Sequence, residues 1–200
     1  YRIVHTVVKP QGDEVTYDAK NPIDVTGFFT LDSRLAPYKD QVTVTYELLT
    51  GEGVTGTGTL DENQKLTVTK CGTFKIKVTT SAVNDTAGEP LYSEGEAVAT
   101  LTVKKAAGSM GDVTVANIDS AKTDIIYGDT WTASTSSTTN QDASYTYWLS
   151  SQSEEQATAT LPTAAGTYPV KATYAATDLY EACSKTAEFT ILPRPAALQW

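Results

Sequence analysis

The sequence predicts an all-β protein built from two antiparallel β-sandwiches, and three observations lead to this prediction. Apolar and polar residues alternate in short runs, as they do in strands with one buried and one solvated face. Residues 72–80 (GTFKIKVTT) are similar to residues 166–174 (GTYPVKATY), about ninety residues further along the chain. No convincing stretch has apolar residues at the helical spacing i, i+3, i+4 and i+7. The length agrees, because 200 residues suit two units of about 100 residues each.

The similarity between the two halves extends well beyond these nine residues. The matching blocks, in chain order, are 15–25 with 125–133, 43–51 with 144–152, 72–80 with 166–174, and 91–105 with 179–193. The first match is the weakest, and the spacings between blocks differ by several residues. Strands joined by loops of variable length diverge in this way. The sequence therefore predicts an internal duplication.

Each block is predicted to form strands, because its apolar residues recur at every second position. Thr, Val and Tyr are abundant and suit a pleated, half-buried surface, while Gly, Asn, Asp and Ser form the turns between runs. This pattern is typical of an antiparallel sandwich. The residues predicted to face the core are Phe74, Ile76, Val78, Ala99, Leu101, Val103, Trp131, Tyr168, Val170, Ala172 and Tyr174.

Pro169 lies inside the clearest strand of the second copy, although proline cannot donate a hydrogen bond to a sheet. Either the strand begins after Pro169, or the proline nitrogen faces a side without a partner. Lys75 occupies the same place in the first copy, so the fold does not require proline there.

Composition suggests where the domains begin and end. Residues 1–105 are predicted to form the first sandwich and residues 113–192 the second. Residues 106–112 are small, polar and Gly-containing, as expected of an interdomain linker. Residues 193–200 include two prolines close together and are predicted to be a linker or the start of a further module. The chain opens on an alternating segment and not on a signal peptide, so we expect a mature or excised piece of a longer protein.

Residues 163–195 (TAAGTYPVKATYAATDLYEACSKTAEFTILPRP) resemble bacterial immunoglobulin-like repeats of the Big/MBG type. Such repeats read as a turn ending in Ala-Gly-Thr-Tyr, an alternating strand, an Asx/Tyr loop, and a closing FTI strand before a Lys/Pro linker. Residues 127–131 (YGDTW) look like their opening strand. The resemblance covers most of 125–193 and, more loosely, 15–105. It implies tandem immunoglobulin-like modules of a secreted or wall-displayed protein, from a cell of the Gram-positive type.

The AGTY segment is also similar to the turn before strand F of immunoglobulin domains. There a tyrosine hydroxyl bonds back to the backbone, and a cysteine follows two residues later. By this resemblance Tyr168 is that tyrosine, whereas Phe74 of the first copy lacks the hydroxyl. The cysteine positions hold Val170 and Ile76, so the intersheet disulfide of antibody domains is not expected.

Charge and hydropathy exclude two classes of partner. The net charge is −9, and no run of Lys and Arg is longer than the pair Lys104-Lys105, which argues against nucleic acid. No apolar run approaches 18 residues, so membrane insertion is not predicted. An acidic surface also keeps secreted proteins soluble.

The residue types needed for catalysis are sparse. His5 is the only histidine and is expected to be an ordinary strand residue, so a Ser-His-Asp type of triad is not predicted. Cys71 and Cys183 lie at non-equivalent places in different copies, so no disulfide within a domain is expected and their role is left open. We therefore predict no catalytic residue, no metal and no cofactor.

Acidic residues cluster in several turns, where solvated loops are the favoured interpretation. Calcium would need several oxygen ligands in one tight loop, and no segment has the EF-hand spacing. Asn84, Asp85 and Glu89 are the best alternative candidates for a calcium site.

Trp148 is the one residue singled out as a possible ligand or interdomain contact. In residues 144–150, Tyr145, Tyr147 and Leu149 share one face, and Trp148 lies on the other, where the first copy has Glu47. Three alternatives stay open for Trp148: cover by the neighbouring domain, a stacking platform for a ligand such as a sugar, or simple exposure.

These patterns predict a non-catalytic tandem spacer and interaction module of a bacterial cell-surface or secreted protein, with adhesion as one role. Two alternatives are a carbohydrate- or protein-binding adhesin domain that uses Trp148, and an accessory domain of a larger extracellular enzyme. The expected partner is a protein or a glycan, and the chain is expected to be a monomer.

Overall fold

The computed structural model describes the backbone of residues 6–7 and 13–197, and side chains from residue 14 to residue 197. Strands account for 46% of the chain and helical turns for 7%, so the predicted all-β class is confirmed. The chain divides into two compact units, Tyr1–Ala106 and Ala107–Trp200. His5 lies outside the described residues.

Unit 1 has two main sheets, of four and three strands. Its described strands are β1 (Thr6–Val7), β2 (Asp13–Thr16), β3 (Ile23–Asp24), β4 (Phe29–Thr30), β5 (Val44–Leu48), β6 (Thr57–Leu60), β7 (Lys65–Lys70), β8 (Gly72–Thr80), β9 (Val83–Asn84), β10 (Pro90–Tyr92) and β11 (Gly95–Lys104). The sheets have the strand orders β2-β11-β8-β5 and β3-β7-β6, and β1 with β4 and β9 with β10 form two small pairs. Short 3-10 turns at Val25–Phe28 and Ser33–Tyr38 connect early strands.

The core of unit 1 follows the predicted alternation. Both sheets contribute side chains that point into the core. Full burial of one large apolar side chain, such as Leu, Ile, Val or Phe, stabilises the fold by about 1.5–3 kcal/mol relative to exposure. The polar residues between them on β8 and β11 are less buried. The buried apolar residues of these sheets are Leu66, Val68, Phe74, Ile76, Val78, Ala99, Leu101 and Val103.

Unit 2 is smaller and has a four-stranded and a two-stranded sheet. Its described strands are β12 (Thr114–Asn117), β13 (Ile125–Ile126), β14 (Trp131–Ser134), β15 (Ala143–Tyr147), β16 (Gly166–Tyr174) and β17 (Cys183–Leu192), with a 3-10 turn at Glu154–Gln156. The strand orders are β13-β17-β16-β15 and β12-β14.

An aromatic cluster fills the core of unit 2. Trp131, predicted to be a core residue, is only 8% exposed, and its ring centroid lies 4.7 Å from that of Phe189 and 5.5 Å from that of Tyr147. Tyr168 stacks on Phe189 with a centroid distance of 5.8 Å. Val170 between them is fully buried. The alternation predicted for residues 166–174 is therefore confirmed.

The two units share several details of their larger sheets. The strands β8 and β16 are both nine residues long with the same order of buried and partly buried positions. In each unit an early strand pairs in parallel with the last strand, β2 with β11 and β13 with β17. Each pairing is extended by a tyrosine N–H that donates to the last strand, from Tyr17 to the Lys104 carbonyl (2.8 Å) and from Tyr127 to the Leu192 carbonyl (2.7 Å).

Pro169 is inside β16, and the strand does not begin after it. It pairs with Glu188 of β17, and its carbonyl accepts the N–H of Trp148 at 3.3 Å. In an antiparallel sheet the nitrogen and carbonyl of one residue point to the same side, so the proline nitrogen faces the position just past the end of β15. The strand β5 ends at Leu48, opposite Ile76, as β15 ends at Tyr147, opposite Val170, although unit 1 has lysine in place of Pro169. Proline is tolerated because the neighbouring strand has already ended. The predicted match of 43–51 with 144–152 is therefore wrong by two residues, and Leu49, not Glu47, holds the place of Trp148.

Part of the predicted linker, residues 106–112, is tied to unit 2. The Gly111 N–H donates to the Ser136 carbonyl at 2.8 Å, and the Ser109 N–H donates to the Thr139 hydroxyl at 2.8 Å. Met110 packs against the aromatic core of this unit.

Two buried asparagines hold the loops of unit 2. The Asn140 side chain is 5% exposed, and its Nδ2 donates to the carbonyls of Ala175 (2.9 Å) and Glu181 (3.2 Å). The Asn117 Nδ2 donates to Asp129 Oδ2 at 2.9 Å, and Lys122 pairs with the other carboxylate oxygen at 2.8 Å. The hydrogen bond and ion pair from Lys122, followed by the Ile126 N–H, hold the pKa of Asp129 below its usual range.

Candidate functional site

Trp148 follows directly after β15, and the backbone around it is fixed. The Tyr147 ring is buried in the core, and alternation along the strand predicts that Trp148 lies on the opposite face. The Trp148 N–H is held by Pro169, and two residues later the Ser150 N–H donates to the Thr167 carbonyl at 2.9 Å. The indole side chain is half-buried. Its position is therefore set by a strand and not by a mobile loop.

A groove of about 310 Å³ opens beside Trp148. It lies within unit 2, between the end of β15 and the loop of residues 148–165 that leads to β16. Leu149 and Leu161 contribute apolar surface that is 37% and 53% exposed. The lining residues, apart from the core tyrosines Tyr147 and Tyr168, include Trp148, Leu149, Gln152, Gln156, Thr158, Thr160, Leu161 and Pro162.

Backbone hydrogen bonds preform the wall of this groove. Tyr147 and Thr158 exchange two bonds, with the Tyr147 N–H donating at 2.8 Å and the Thr158 N–H at 2.9 Å. Between them a turn donates the Gln152 N–H to the Leu149 carbonyl at 2.8 Å. The 3-10 turn Glu154–Gln156 closes with the Ala157 N–H on the Glu154 carbonyl at 2.9 Å.

The tyrosine at the floor of the groove makes the back bond that the immunoglobulin resemblance implied. The Tyr168 hydroxyl donates to the Ala164 carbonyl at 3.0 Å, which fixes the end of the loop just before β16. Phe74 holds the matching place in unit 1, where Gly56 packs directly against its ring. Lack of a Cβ at Gly56 makes that approach possible.

The charges near the groove are paired or directed to water. Lys171 on β16 forms an ion pair with Glu154 at the start of the 3-10 turn. The amides of Gln152 and Gln156 are exposed, and within the described part of the chain their side chains make no hydrogen bond. Burial, followed by the effect of Tyr145, raises the pKa of Tyr147, so its hydroxyl is uncharged at neutral pH. The groove therefore presents an aromatic ring, apolar side chains and neutral polar groups.

Of the calcium candidates Asn84, Asp85 and Glu89, Asp85 shapes the local backbone. Asp85 Oδ1 accepts the backbone N–H groups of Ala87 (2.8 Å) and Glu89 (2.9 Å), which closes the loop between β9 and β10. Across the side chains that the structure describes, no group of three or more His, Cys, Asp or Glu is placed to hold a metal ion.

The same local bond recurs at many turns. Six aspartates each accept the backbone N–H of the residue two positions later, which is the Asx-turn geometry. Their carboxylates thereby shape loops. These residues are Asp18, Asp24, Asp32, Asp61, Asp85 and Asp119.

Neither cysteine is in a disulfide. Cys71 lies between β7 and β8 and Cys183 begins β17, and both are partly buried. Among the described residues, no helix has the length and hydropathy to cross a membrane.

Sequence reasoning identified Trp148 but missed the residues that complete the groove around it. Gln152, Gln156 and Leu161 lie in a loop without alternation, so no periodic signal marked them. One available signal was the long polar segment between two predicted strands, since loops of this length are often functional.

Comparison of the sequence with protein-family models and with curated proteins finds no match.

Proposed function

We propose that this chain is a non-catalytic spacer and interaction module, formed by two immunoglobulin-like sandwiches in tandem, of a bacterial cell-surface or secreted protein. One observation carries the proposal: in each unit an early strand pairs in parallel with the last strand, β2 with β11 and β13 with β17.

Parallel strands begin at the same end of a sheet, so this pairing controls where the chain leaves each unit. The early strand therefore enters at one end of the sheet, and the last strand leaves at the other end. Both β11 and β17 have ten residues, which corresponds to about 33 Å of strand. Repetition of such a unit lengthens a protein, as a spacer must.

The assignment to immunoglobulin-like repeats is supported by features of both units. The strands β8 and β16 share their length and burial pattern, and each is flanked by the last strand of its unit. The bond from Tyr168 to Ala164 is the one implied by the resemblance. A copied unit with diverged loops accounts for these shared features.

The contacts of the acidic side chains support a structural role. Six aspartates shape turns, and Glu14, Glu47, Glu96 and Glu154 form ion pairs with lysines on strands. The net charge of −9 suits a solvated surface in an extracellular protein.

Single-molecule pulling tests the spacer role, because force on the two ends loads the parallel pairs in shear. The pair β2–β11 has four matched residue positions and β13–β17 has two. We expect two separate rupture events, one for each unit, with unit 1 rupturing at the higher force. Release of about 90 residues from unit 1 gives a step of about 30 nm, and about 70 residues from unit 2 give about 20 nm.

Gradual extension without two events would contradict the spacer proposal. The step lengths identify the units, so a higher rupture force for the step of about 20 nm would refute the role given to the parallel pairs. Pulling from an internal attachment point, which peels strands apart one bond at a time, is the control geometry and should lower both forces.

A second candidate function, binding of a carbohydrate or protein, is favoured by the preformed groove beside Trp148. It is compatible with the spacer role, because the groove involves neither β13 nor β17.

A further inference from the structure

We propose that the groove beside Trp148 binds a neutral oligosaccharide of two or three sugar units, and that N-acetylated hexosamines are the preferred class. The proposal deepens the second candidate function and rests on it, while the spacer role is independent of it. The groove volume of about 310 Å³ is at the lower end of the range of about 300–1,000 Å³ for small-molecule sites.

The ring of Trp148 supplies the surface on which a sugar can stack. The C–H groups of a pyranose face carry slight positive charge and are attracted to the negative face of an aromatic ring. The indole is half-buried and its backbone is fixed on both sides, so little conformational entropy is lost on binding. The exposed parts of Leu149 and Leu161 would lose contact with water at the same time.

The two free amides explain the preference for an N-acetyl group. Each glutamine side chain offers an N–H donor and a carbonyl acceptor. An acetamido group offers the complementary carbonyl and N–H, together with a methyl group that suits the apolar wall at Leu161. Gln152 and Gln156 need not break a protein hydrogen bond to bind it, since within the described residues their side chains make none.

The charge around the groove favours a neutral ligand. Lys171 forms an ion pair with Glu154, so among the described lining residues and their neighbours on β16 no unpaired cation is placed to attract a carboxylate or sulfate. Glu155 is exposed nearby and would repel an anion. Sialylated and sulfated glycans are therefore disfavoured.

A peptide strand fits the same place less well. Strand addition needs free backbone N–H and C=O groups along a sheet edge. At the groove those of Tyr147 are already bonded to Thr158. The groove then offers side chains alone, which is the mode suited to a sugar.

The test is a titration of the full chain, labelled with ¹⁵N, with N,N′,N″-triacetylchitotriose, followed by NMR. Cellotriose is the matched control sugar, because it has the same linkage and lacks the acetamido groups. We expect saturable shifts of the Trp148 indole N–H and the Gln152 and Gln156 amides, with a dissociation constant on the order of 1 mM or lower. Cellotriose should bind about tenfold more weakly.

Three variants of the groove and one control variant separate binding from folding. Trp148→Ala should weaken chitotriose binding by about tenfold or more, because the aromatic ring is lost. Trp148→Tyr should retain much of the binding, because an aromatic ring remains. The double variant Gln152→Ala/Gln156→Ala changes only exposed side chains and should remove the preference over cellotriose. Gln41→Ala, at an exposed position of unit 1, is the control and should change nothing.

Each remaining outcome overturns the proposal. No saturable shift with either sugar rejects a glycan site, and equal affinity for the two sugars rejects the preference for N-acetyl groups. Binding of a proline-rich peptide, with no response to chitotriose, would assign the groove to a protein partner instead. The pulling experiment is unaffected by any of these results, so the spacer role can stand or fall separately.

Discussion

Gly56 packs against the ring of Phe74 in unit 1, and its replacement by alanine should destabilise that unit. A Cβ at this position would lie 2.3, 2.4 and 2.8 Å from three carbons of the ring. Favourable contact between carbons needs about 3.5–4.0 Å, so the ring or the backbone must move by more than about 1 Å. Phe74 is only 1% exposed, and the Gly56 N–H is held by the Thr73 carbonyl at 3.1 Å, so neither can move freely.

Overpacking of this kind costs about 1–3 kcal/mol, and the restricted site places Gly56→Ala at about 2–3 kcal/mol. For a unit of this size that lowers the Tm by about 10–20 °C. Differential scanning calorimetry should show the transition of unit 1 shifted and that of unit 2 unchanged. Gly27→Ala is the matched control, because a Cβ at Gly27 meets no atom within 4 Å, and its effect should stay within about 0.5 kcal/mol.

A second substitution tests the cause of the loss. Phe74→Leu makes room beside residue 56, so the double variant Gly56→Ala/Phe74→Leu should be more stable than the two single losses added together predict. A wild-type Tm for Gly56→Ala, or strict additivity in the double variant, would refute the reasoning from the contact between Gly56 and Phe74.

The other predictions concern polar groups. Asn140→Ala should lower the free energy of unfolding of unit 2 by about 1–2 kcal/mol in urea, because a buried side chain that donates to the Ala175 and Glu181 carbonyls is lost; the exposed control Asn63→Ala should be neutral, and equal effects would contradict this. Tyr168→Phe should lower the free energy of unfolding of unit 2 by about 1 kcal/mol in the same assay and leave the fold intact, since Phe74 fills the matching place in unit 1. An unchanged midpoint would show that the bond from Tyr168 to Ala164 does not contribute to stability. Hydrogen bonds, above all from the Thr26 side chain and from Lys65, lower the pKa of Asp24 to about 2. The stabilising effect of the Asp24 carboxylate is therefore present above pH about 4 and lost as the pH falls towards 2. Asp24→Asn should make the free energy of unfolding of unit 1 depend less on pH between about 4 and 2, and an unchanged pH dependence would count against this.

The strands that carry the cores could be predicted from the sequence because their pattern has a period of two. Burial of Phe74, Ile76 and Val78 follows from alternation alone. The core position of Trp131 is expected from a weak match near Ile23, which is itself only partly buried, so the prediction is confirmed although the match does not explain it. Pro169 left two options open, and the sequence could not decide between them, because the answer depends on where the neighbouring strand ends.

The features that sequence reasoning missed depend on contacts between residues far apart in the chain. Asn140 looks like any loop asparagine, yet it bonds to carbonyls 35 and 41 residues away. The groove next to Trp148 likewise requires the pairing of Tyr147 with Thr158. No local pattern encodes such pairings, since the residues involved are common in exposed turns.

The unbridged cysteines have a consequence for the proposed spacer role. With Cys71 and Cys183 both unlinked, no covalent loop shortens either unit when it is stretched. In the proposed spacer role, each unit could therefore extend over its whole length under force, without a disulfide to stop it. A chain of such units would lengthen and recover reversibly where thiols stay reduced, because thiols exposed in stretched units could pair under oxidising conditions.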